Sequence, residues 1–184
     1  MKYFSISALI SIVLLFVLSS CSTHKVDNSN KTSIAFAIIK KDKIIFLQDT
    51  IALKEKLKTN LFSTNTKINL EKVEVSKQIT ISVNPKEYYF LLVKDFHKKI
   101  KIVRWLNRIG DKLFFNNKSP NEDSFEQMYT TCEGEEDCDP HVFITDTERF
   151  WSCSMDPTCK IGIVDEKTIK CKSYKSIIIS ELED

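Results

Sequence analysis

Short apolar runs alternate with polar segments along most of the chain, at the spacing expected of β-strands. Residues 34–39 and 44–47 are apolar and flank the polar residues 40–43, which predicts a hairpin. Gln78 to Val83 alternates apolar and polar side chains at every position, which predicts a half-buried strand. Tyr88 to Val93 is apolar throughout and is predicted to be an interior strand.

The rest of the pattern adds short strands and little helix. Leu53 and Leu57 are four residues apart in residues 51–58, which predicts a short helix with Asp49 or Thr50 as its N-cap. Further strands are predicted at residues 68–75, 100–106, 112–115, 141–145, 160–164 and 176–179. Between them, residues 116–139 are polar and are expected to hold no more than a helical turn or two around Phe125, Met128 and Tyr129. The expected fold is mainly β, a single small sandwich or bent antiparallel meander with one or two short helices.

The N-terminus has the pattern of a targeting segment. One basic residue, Lys2, precedes an apolar run from Tyr3 to Leu18, about as long as a secretory apolar region and short for a membrane span. The run ends in Leu18-Ser19-Ser20-Cys21, which resembles the lipobox of bacterial lipoproteins. The resemblance covers residues 1–22 and implies cleavage before Cys21, which then carries acyl chains. An ordinary signal peptide or an uncleaved anchor is the alternative.

This resemblance implies an address and a domain layout. Residues 1–20 would be the signal peptide, and acylated Cys21 would anchor the chain in the lipid bilayer. Ser22, rather than an aspartate, favours the outer membrane, with the protein facing the periplasm. Residues 22–33 are almost entirely polar and form a flexible tether with a reach of about 20 Å. Residues 34–184 then make one β-rich domain.

Five cysteines remain once Cys21 is acylated, and an oxidising periplasm favours disulfides between them. Cys132 and Cys138 have the same spacing as Cys153 and Cys159. Pairing within each of these two segments is the simplest expectation, and pairing across the two segments is the rival. Cys171 is left over in the first case, as a small buried side chain or an intermolecular partner.

Charge is distributed unevenly along the chain. Residues 22–118 carry 20 Lys and Arg against 9 Asp and Glu, whereas residues 119–184 carry 6 against 16. The acidic excess peaks beside two cysteines, in a segment we call the acidic loop, whose carboxylates are Glu133, Glu135, Glu136, Asp137 and Asp139. A disulfide across this loop, between Cys132 and Cys138, would hold the charges on a small rigid knob suited to insertion into the cationic cleft of a basic protein. A solvated loop without a partner, or two oppositely charged halves that neutralise each other, are the alternatives.

Other chemistries fit the sequence poorly. The acidic loop lacks the ligand alternation and central glycine of a calcium loop. The cysteines with His141 have the atom types for zinc but not the usual spacing. Neither a Gly-x-Ser-x-Gly elbow nor a Cys-x-x-Cys pair is present. The basic stretch from Lys94 to Lys118 would favour anionic lipid or an acidic protein face in the envelope rather than nucleic acid. We therefore expect no catalytic residues, no metal and no cofactor.

The combined expectation is a non-enzymatic lipoprotein that binds a protein. Its most concrete form is an inhibitor or immunity-type protein that neutralises a basic secreted effector or a lysozyme-like enzyme through the acidic loop. The alternative is an accessory or structural lipoprotein of an outer-membrane assembly.

Overall fold

An antiparallel eight-stranded sheet, with a two-stranded hairpin beside it, organises the residues described by the computed structural model. Those residues are 34–62, 67–116, 124–134, 138–155 and 171–178. The strands are β1 (Ala37–Lys40), β2 (Lys43–Phe46), β3 (Lys72–Ile79), β4 (Glu87–Asp95), β5 (Ile100–Ile109), β6 (Lys112–Phe114), β7 (Met128–Gly134), β8 (His141–Ile144), β9 (Arg149–Ser152) and β10 (Cys171–Ile177). The helical elements are α1 (Thr50–Leu61) and one 3₁₀ turn (Ser124–Glu126).

Strand β5 is the centre of the large sheet, and two different strands pair with one of its edges. Strand β4 pairs with residues Ile100 to Leu106 along one edge, and β3 lies beyond it. On the other edge, β7 pairs with Ile100–Val103 and β6 with Asn107–Ile109. Strand β10 continues the sheet beyond β7, whereas β1 and β2 continue it beyond β6. The sheet therefore divides into two wings at residues 104–106 of β5, a point we call the fork.

Two tight turns set the register of the β6 wing. Between β1 and β2, Lys41 and Asp42 both have positive φ, 49° and 60°, as a two-residue type I′ turn requires. Between β5 and β6, Gly110 and Asp111 form the turn, and Gly110 has φ 65°. The residues on either side of the turn, Ile109 and Lys112, are paired. Both turns place the hairpin partners directly opposite each other.

Helix α1 covers one face of the sheet. The Asp49 carboxylate caps it by accepting hydrogen bonds from the backbone N–H groups of Ile51 (2.7 Å) and Ala52 (3.2 Å). Leu57 is fully buried, and Leu53 and Leu61 lie one turn to either side of it. This stripe packs on a core that includes Phe36, Leu91, Val93, Ile102, Leu106 and Leu113. None of the helices in the described part of the chain has the length and apolar character that a membrane crossing requires.

The hairpin of β8 and β9 covers part of the opposite face. Its Val142 and Trp151 pack in a second core with side chains that project from the other side of β4 and β5: Tyr88, Phe90, Leu92 and Val103. Backbone bonds from Ile81 to Val142 and from Ile144 to Ile81 join the hairpin to the segment after β3. The β-rich domain therefore has a helix on one side of its sheet and a small hairpin on the other.

The sequence prediction of a mainly β, antiparallel fold is confirmed. The hairpin of β1 and β2, helix α1, and strands β4, β5, β6 and β8 lie where the pattern predicted them, although α1 and β5 are longer than expected. The predicted strand at residues 160–164 lies outside the described residues.

Three predictions of strand position are wrong. The strands predicted at residues 68–75 and 78–83 are one strand, β3, which ends at Ile79. The connection to β4 begins at Thr80. The Thr80 N–H donates to the Lys86 carbonyl, and the Thr80 hydroxyl accepts a hydrogen bond from the Lys86 N–H. The residues after Thr80 keep the alternating pattern but do not belong to the β3–β4 ladder. The polar segment 116–139 contains β7, and β9 was not predicted at all, because Thr130, Thr131, Arg149 and Ser152 break the apolar pattern.

Candidate functional site

The acidic loop joins β7 to β8, and a disulfide-bonded cysteine lies near each end of it. Cys132 in β7 is bonded to Cys153, which directly follows β9. Cys138, three residues before β8, is bonded to Cys171 at the start of β10. In each bridge the Cα atoms are 5.4 Å apart. The two ends of the loop are therefore fixed to two different elements, and the same bridges hold the open end of the β8–β9 hairpin, where His141 is paired with Ser152, against the sheet.

The prediction of pairing within each cysteine segment is wrong, since Cys132 is bonded to Cys153, and so is the prediction of an unpaired Cys171. The rival, pairing across the two segments, is confirmed for Cys132 and Cys153 but not for Cys138. Cys132 is buried on the sheet face that carries the β8–β9 hairpin, which brings it to Cys153. The β7–β10 ladder places Cys171 opposite Gly134, beside the loop. These are long-range pairings that cysteine spacing does not encode. Cys159 and Cys21 lie outside the described residues. Because the four described cysteines are bonded to each other, they are not available as zinc ligands.

One carboxylate of the acidic loop is already paired. The Lys101 ammonium lies 2.7 Å from Oδ1 of Asp139 and also donates to the Cys138 carbonyl at 3.2 Å. Glu133 lies in β7, opposite Ile100 on one side and Lys172 on the other. Glu135, Glu136 and Asp137 lie outside the described residues. The Lys101–Asp139 pair joins the basic half of the chain to the acidic half, although Asp139 remains half-exposed and open to exchange with another cation.

The predicted basic stretch does not form a single basic face. The Lys94 ammonium is 2.7 Å from Glu74, and Lys101 is bound to Asp139. Arg104 is buried, and Trp105 packs against the second core. The register places Lys94 opposite Lys101, on the face that also carries Trp105, whereas Arg104 projects to the other face.

The fork holds a polar cluster that sequence reasoning missed. Arg104 is only 7% exposed, and its guanidinium donates to the Asn116 carbonyl (2.8 Å), the Tyr129 hydroxyl (3.1 Å) and the Glu126 carbonyl (3.4 Å). It also lies over the rings of Phe115 and Tyr129, with centroid distances of 4.6 and 4.9 Å. Arg104 thus fills the space where β7 and β6 part. In the sequence, the sign of this burial is the position of Arg104 within an otherwise apolar part of β5.

The Glu126 carboxylate organises the other side of the fork. It accepts hydrogen bonds from Asn107 (2.6 Å), Asn116 (2.9 Å) and the Arg149 guanidinium (3.1 Å). Arg149 in turn lies over Phe125, 5.0 Å from the ring centroid. The 3₁₀ turn of Ser124–Glu126 is therefore bound to β5, to Asn116 beyond β6 and to β9, which indicates a structural role for the cluster.

An open cleft of ≈580 Å³ lies beside this cluster. Its walls include Phe125, Met128, Ile144, Phe150 and the stem of Lys175. Hydroxyl groups of Ser124, Thr145 and Thr147 line it as well, but its described lining contains no histidine or cysteine. Within the part of the chain that the structure describes, no group of three or more His, Cys, Asp or Glu side chains is placed to hold a metal ion.

His141 begins β8 directly after the acidic loop, and its environment lowers the pKa of its imidazole. Burial is the largest cause, and it disfavours the charged form. Asp139 raises the pKa of this imidazole and Lys101 lowers it. The ring is therefore neutral at pH 7.

This lowered pKa predicts a loss of stability in acid. The unfolded chain binds a proton at the ordinary histidine pKa of about 6.5, more readily than the folded protein does. The free energy of unfolding should therefore stay constant above that pH and decrease as the pH falls below it. Urea midpoints measured from pH 7.5 to 5 should fall more steeply for the wild type than for His141→Gln. Equal slopes for the two proteins would show that His141 does not contribute.

Comparison of the chain with protein-family models, curated proteins and solved structures found no match. What the protein does is therefore inferred from its own residues and their arrangement.

Proposed function

We propose that the protein is a lipoprotein of the bacterial envelope that binds a basic protein partner through its acidic loop. In this proposal acylated Cys21 anchors the chain, with the outer membrane as the site and the domain facing the periplasm. The partner is a secreted effector or a lysozyme-like enzyme, and the protein acts as its inhibitor or immunity protein. No catalytic step is required of the protein.

The observation that carries the proposal is the fixing of both ends of the acidic loop by disulfides. Cys132 and Cys138 bracket five residues, of which four are carboxylates, and they are bonded to different elements. A segment whose ends are held loses less conformational entropy on binding than a free one, so its charges become more effective for recognition. The Lys101–Asp139 pair supports the same idea, because the Asp139 carboxylate at the base of the loop is half-exposed and accessible to a cation of a partner.

Charge reversal in the loop tests the proposal. Replacing Glu135, Glu136 and Asp137 together with lysine should abolish binding, because attraction to a basic surface becomes repulsion. The acylated protein is cross-linked in cells of its source, and the captured proteins are identified by mass spectrometry. The wild type should capture a basic protein that the triple variant does not.

A matched control has the same change in net charge elsewhere. Glu55, Glu87 and Asp146 are exposed, and replacing all three with lysine should leave the capture unchanged. If both triple variants capture the same partner as the wild type, the acidic loop is not the binding surface. Stable co-purification with a membrane complex, insensitive to both sets of changes, would instead support the role of an accessory lipoprotein.

A further inference from the structure

One half of a sheet face is left uncovered by the described elements. Alternation along β5 places Ile109 on the same side as Val103 and Trp105, the side that carries the β8–β9 hairpin. The hairpin packs only on the part of this face before the fork. Beyond the fork, on β6, β1 and β2, the same face is exposed.

The strand register identifies the side chains of this exposed area. Cross-strand partners project to the same side of a sheet. The pairs Ile38–Ile45, Lys40–Lys43, Ile38–Lys112 and Ile109–Lys112 therefore share one face. Leu47 extends it, since its N–H continues the ladder by bonding to the Phe36 carbonyl at 2.9 Å. The opposite side of the same strands, with Ala37, Ile39, Ile44 and Phe46, is packed in the core beneath α1.

The area combines exposed apolar side chains with unneutralised lysines. Ile109 is 67% exposed, Leu47 50% and Ile45 44%, unusually high for branched apolar residues in or beside strands. Lys40, Lys43 and Lys112 surround them and form no ion pair within the described ranges. We call this set of six side chains the docking face. Apolar side chains ringed by lysines match the interface of a bilayer with anionic head groups.

The chain that leads back to Cys21 joins the domain at the edge of the docking face. The Ile34 carbonyl, at the first described residue, accepts a hydrogen bond from the side chain of Gln48 at 3.4 Å, and Gln48 directly follows Leu47. The composition of the polar segment between Cys21 and Ile34 predicts a flexible tether with a reach of about 20 Å. An acylated Cys21 would therefore keep the docking face close to the membrane surface.

From these observations we infer that the docking face lies against an anionic lipid surface, so that the anchored domain has a fixed orientation. The inference rests on the lipid anchor of the proposed function. It goes further because it assigns a second membrane contact, made by folded strands. The occupant is the lipid surface rather than a second copy of the chain, because three lysines on one small face would repel their counterparts in a symmetric pair.

Lysine footprinting of the acylated protein in vesicles tests this inference. Lys40, Lys43 and Lys112 should react with an amine-acetylating reagent at least about fivefold more slowly on vesicles containing about one-third phosphatidylglycerol than on phosphatidylcholine alone. Lys98 and Lys172 serve as internal controls, since they are exposed at the other end of β5 and on β10. Their rates should not change between the two vesicles. Replacing Leu47 and Ile109 with aspartate should remove the protection while the protein stays with the vesicles.

The outcomes separate the two proposals. A protein that sediments with the vesicles but shows equal lysine reactivity on both lipids overturns the docking face and leaves the anchor in place. A protein that does not stay with the vesicles overturns the anchor, and the docking face with it. Protection that rises with protein density on neutral vesicles indicates self-association and also overturns the inference.

Discussion

Replacing Cys138 and Cys171 with serine should lower the free energy of unfolding by about 3–4 kcal/mol, a large part of the stability of a domain of this size. The bridge closes a sequence separation of 33 residues, and the loss of that constraint increases the entropy of the unfolded chain. Replacing Cys132 and Cys153 should have a similar effect, since that bridge spans 21 residues. Both bridges lie at the open end of the β8–β9 hairpin, where His141 is paired with Ser152, so loss of either should also loosen the second core around Trp151.

Urea unfolding followed by tryptophan fluorescence measures both effects, and Cys159→Ser is the matched control. The described bridges do not use Cys159, so this change should leave the midpoint close to that of the wild type. Peptide mapping under non-reducing conditions should recover the Cys132–Cys153 and Cys138–Cys171 peptides. If instead the map shows Cys132 bonded to Cys138, the arrangement of the hairpin described above is wrong.

Replacing Arg104 with alanine should destabilise the domain by about 3–4 kcal/mol. The change removes three hydrogen bonds from a charged donor and leaves the carbonyls of Asn116 and Glu126 with a lost partner beside a new cavity. Arg104→Lys should recover only a minor part of this loss, because a single ammonium cannot reproduce a planar fork that reaches three acceptors.

Arg108→Ala is the control for Arg104. Arg108 lies in the same strand, projects to the same side and also lies over an aromatic ring, that of Tyr89, but it is exposed. Its replacement should lower stability by less than about 1 kcal/mol. Equal urea midpoints for the two alanine variants would mean that the fork is not stabilised by the buried guanidinium.

The sequence was a good guide to structure where local pattern decides. The apolar runs of β1, β2 and β4 and the capped helix α1 could be located because periodicity, turn residues and caps agree there. It failed for β7 and β9, in which polar residues break the apolar pattern. The β7–β10 pairing is a long-range contact that no local pattern records, whereas β9 forms a local hairpin with β8 and depends on packing against β4 for its buried face.

The candidate site was predictable only in part. The acidic residues and their neighbouring cysteines are visible in the sequence as composition and spacing. Which cysteine bonds to which depends on the β7–β10 register, and the burial of Arg104 depends on the division of one strand edge between two partners. Neither property belongs to a segment of the chain taken alone.

Strand β5 also sets the distance between the acidic loop and the docking face. The acidic loop leaves the sheet where Gly134 bonds to Lys99, just before the first residue of β5, and the lysine-ringed apolar area includes Ile109, its last. Nine residue steps of extended chain separate these ends by about 30 Å. If the docking face lies against lipid, this distance runs along the sheet, and the carboxylates would lie about 30 Å to the side of the lipid contact, where a soluble protein can bind them without displacing it.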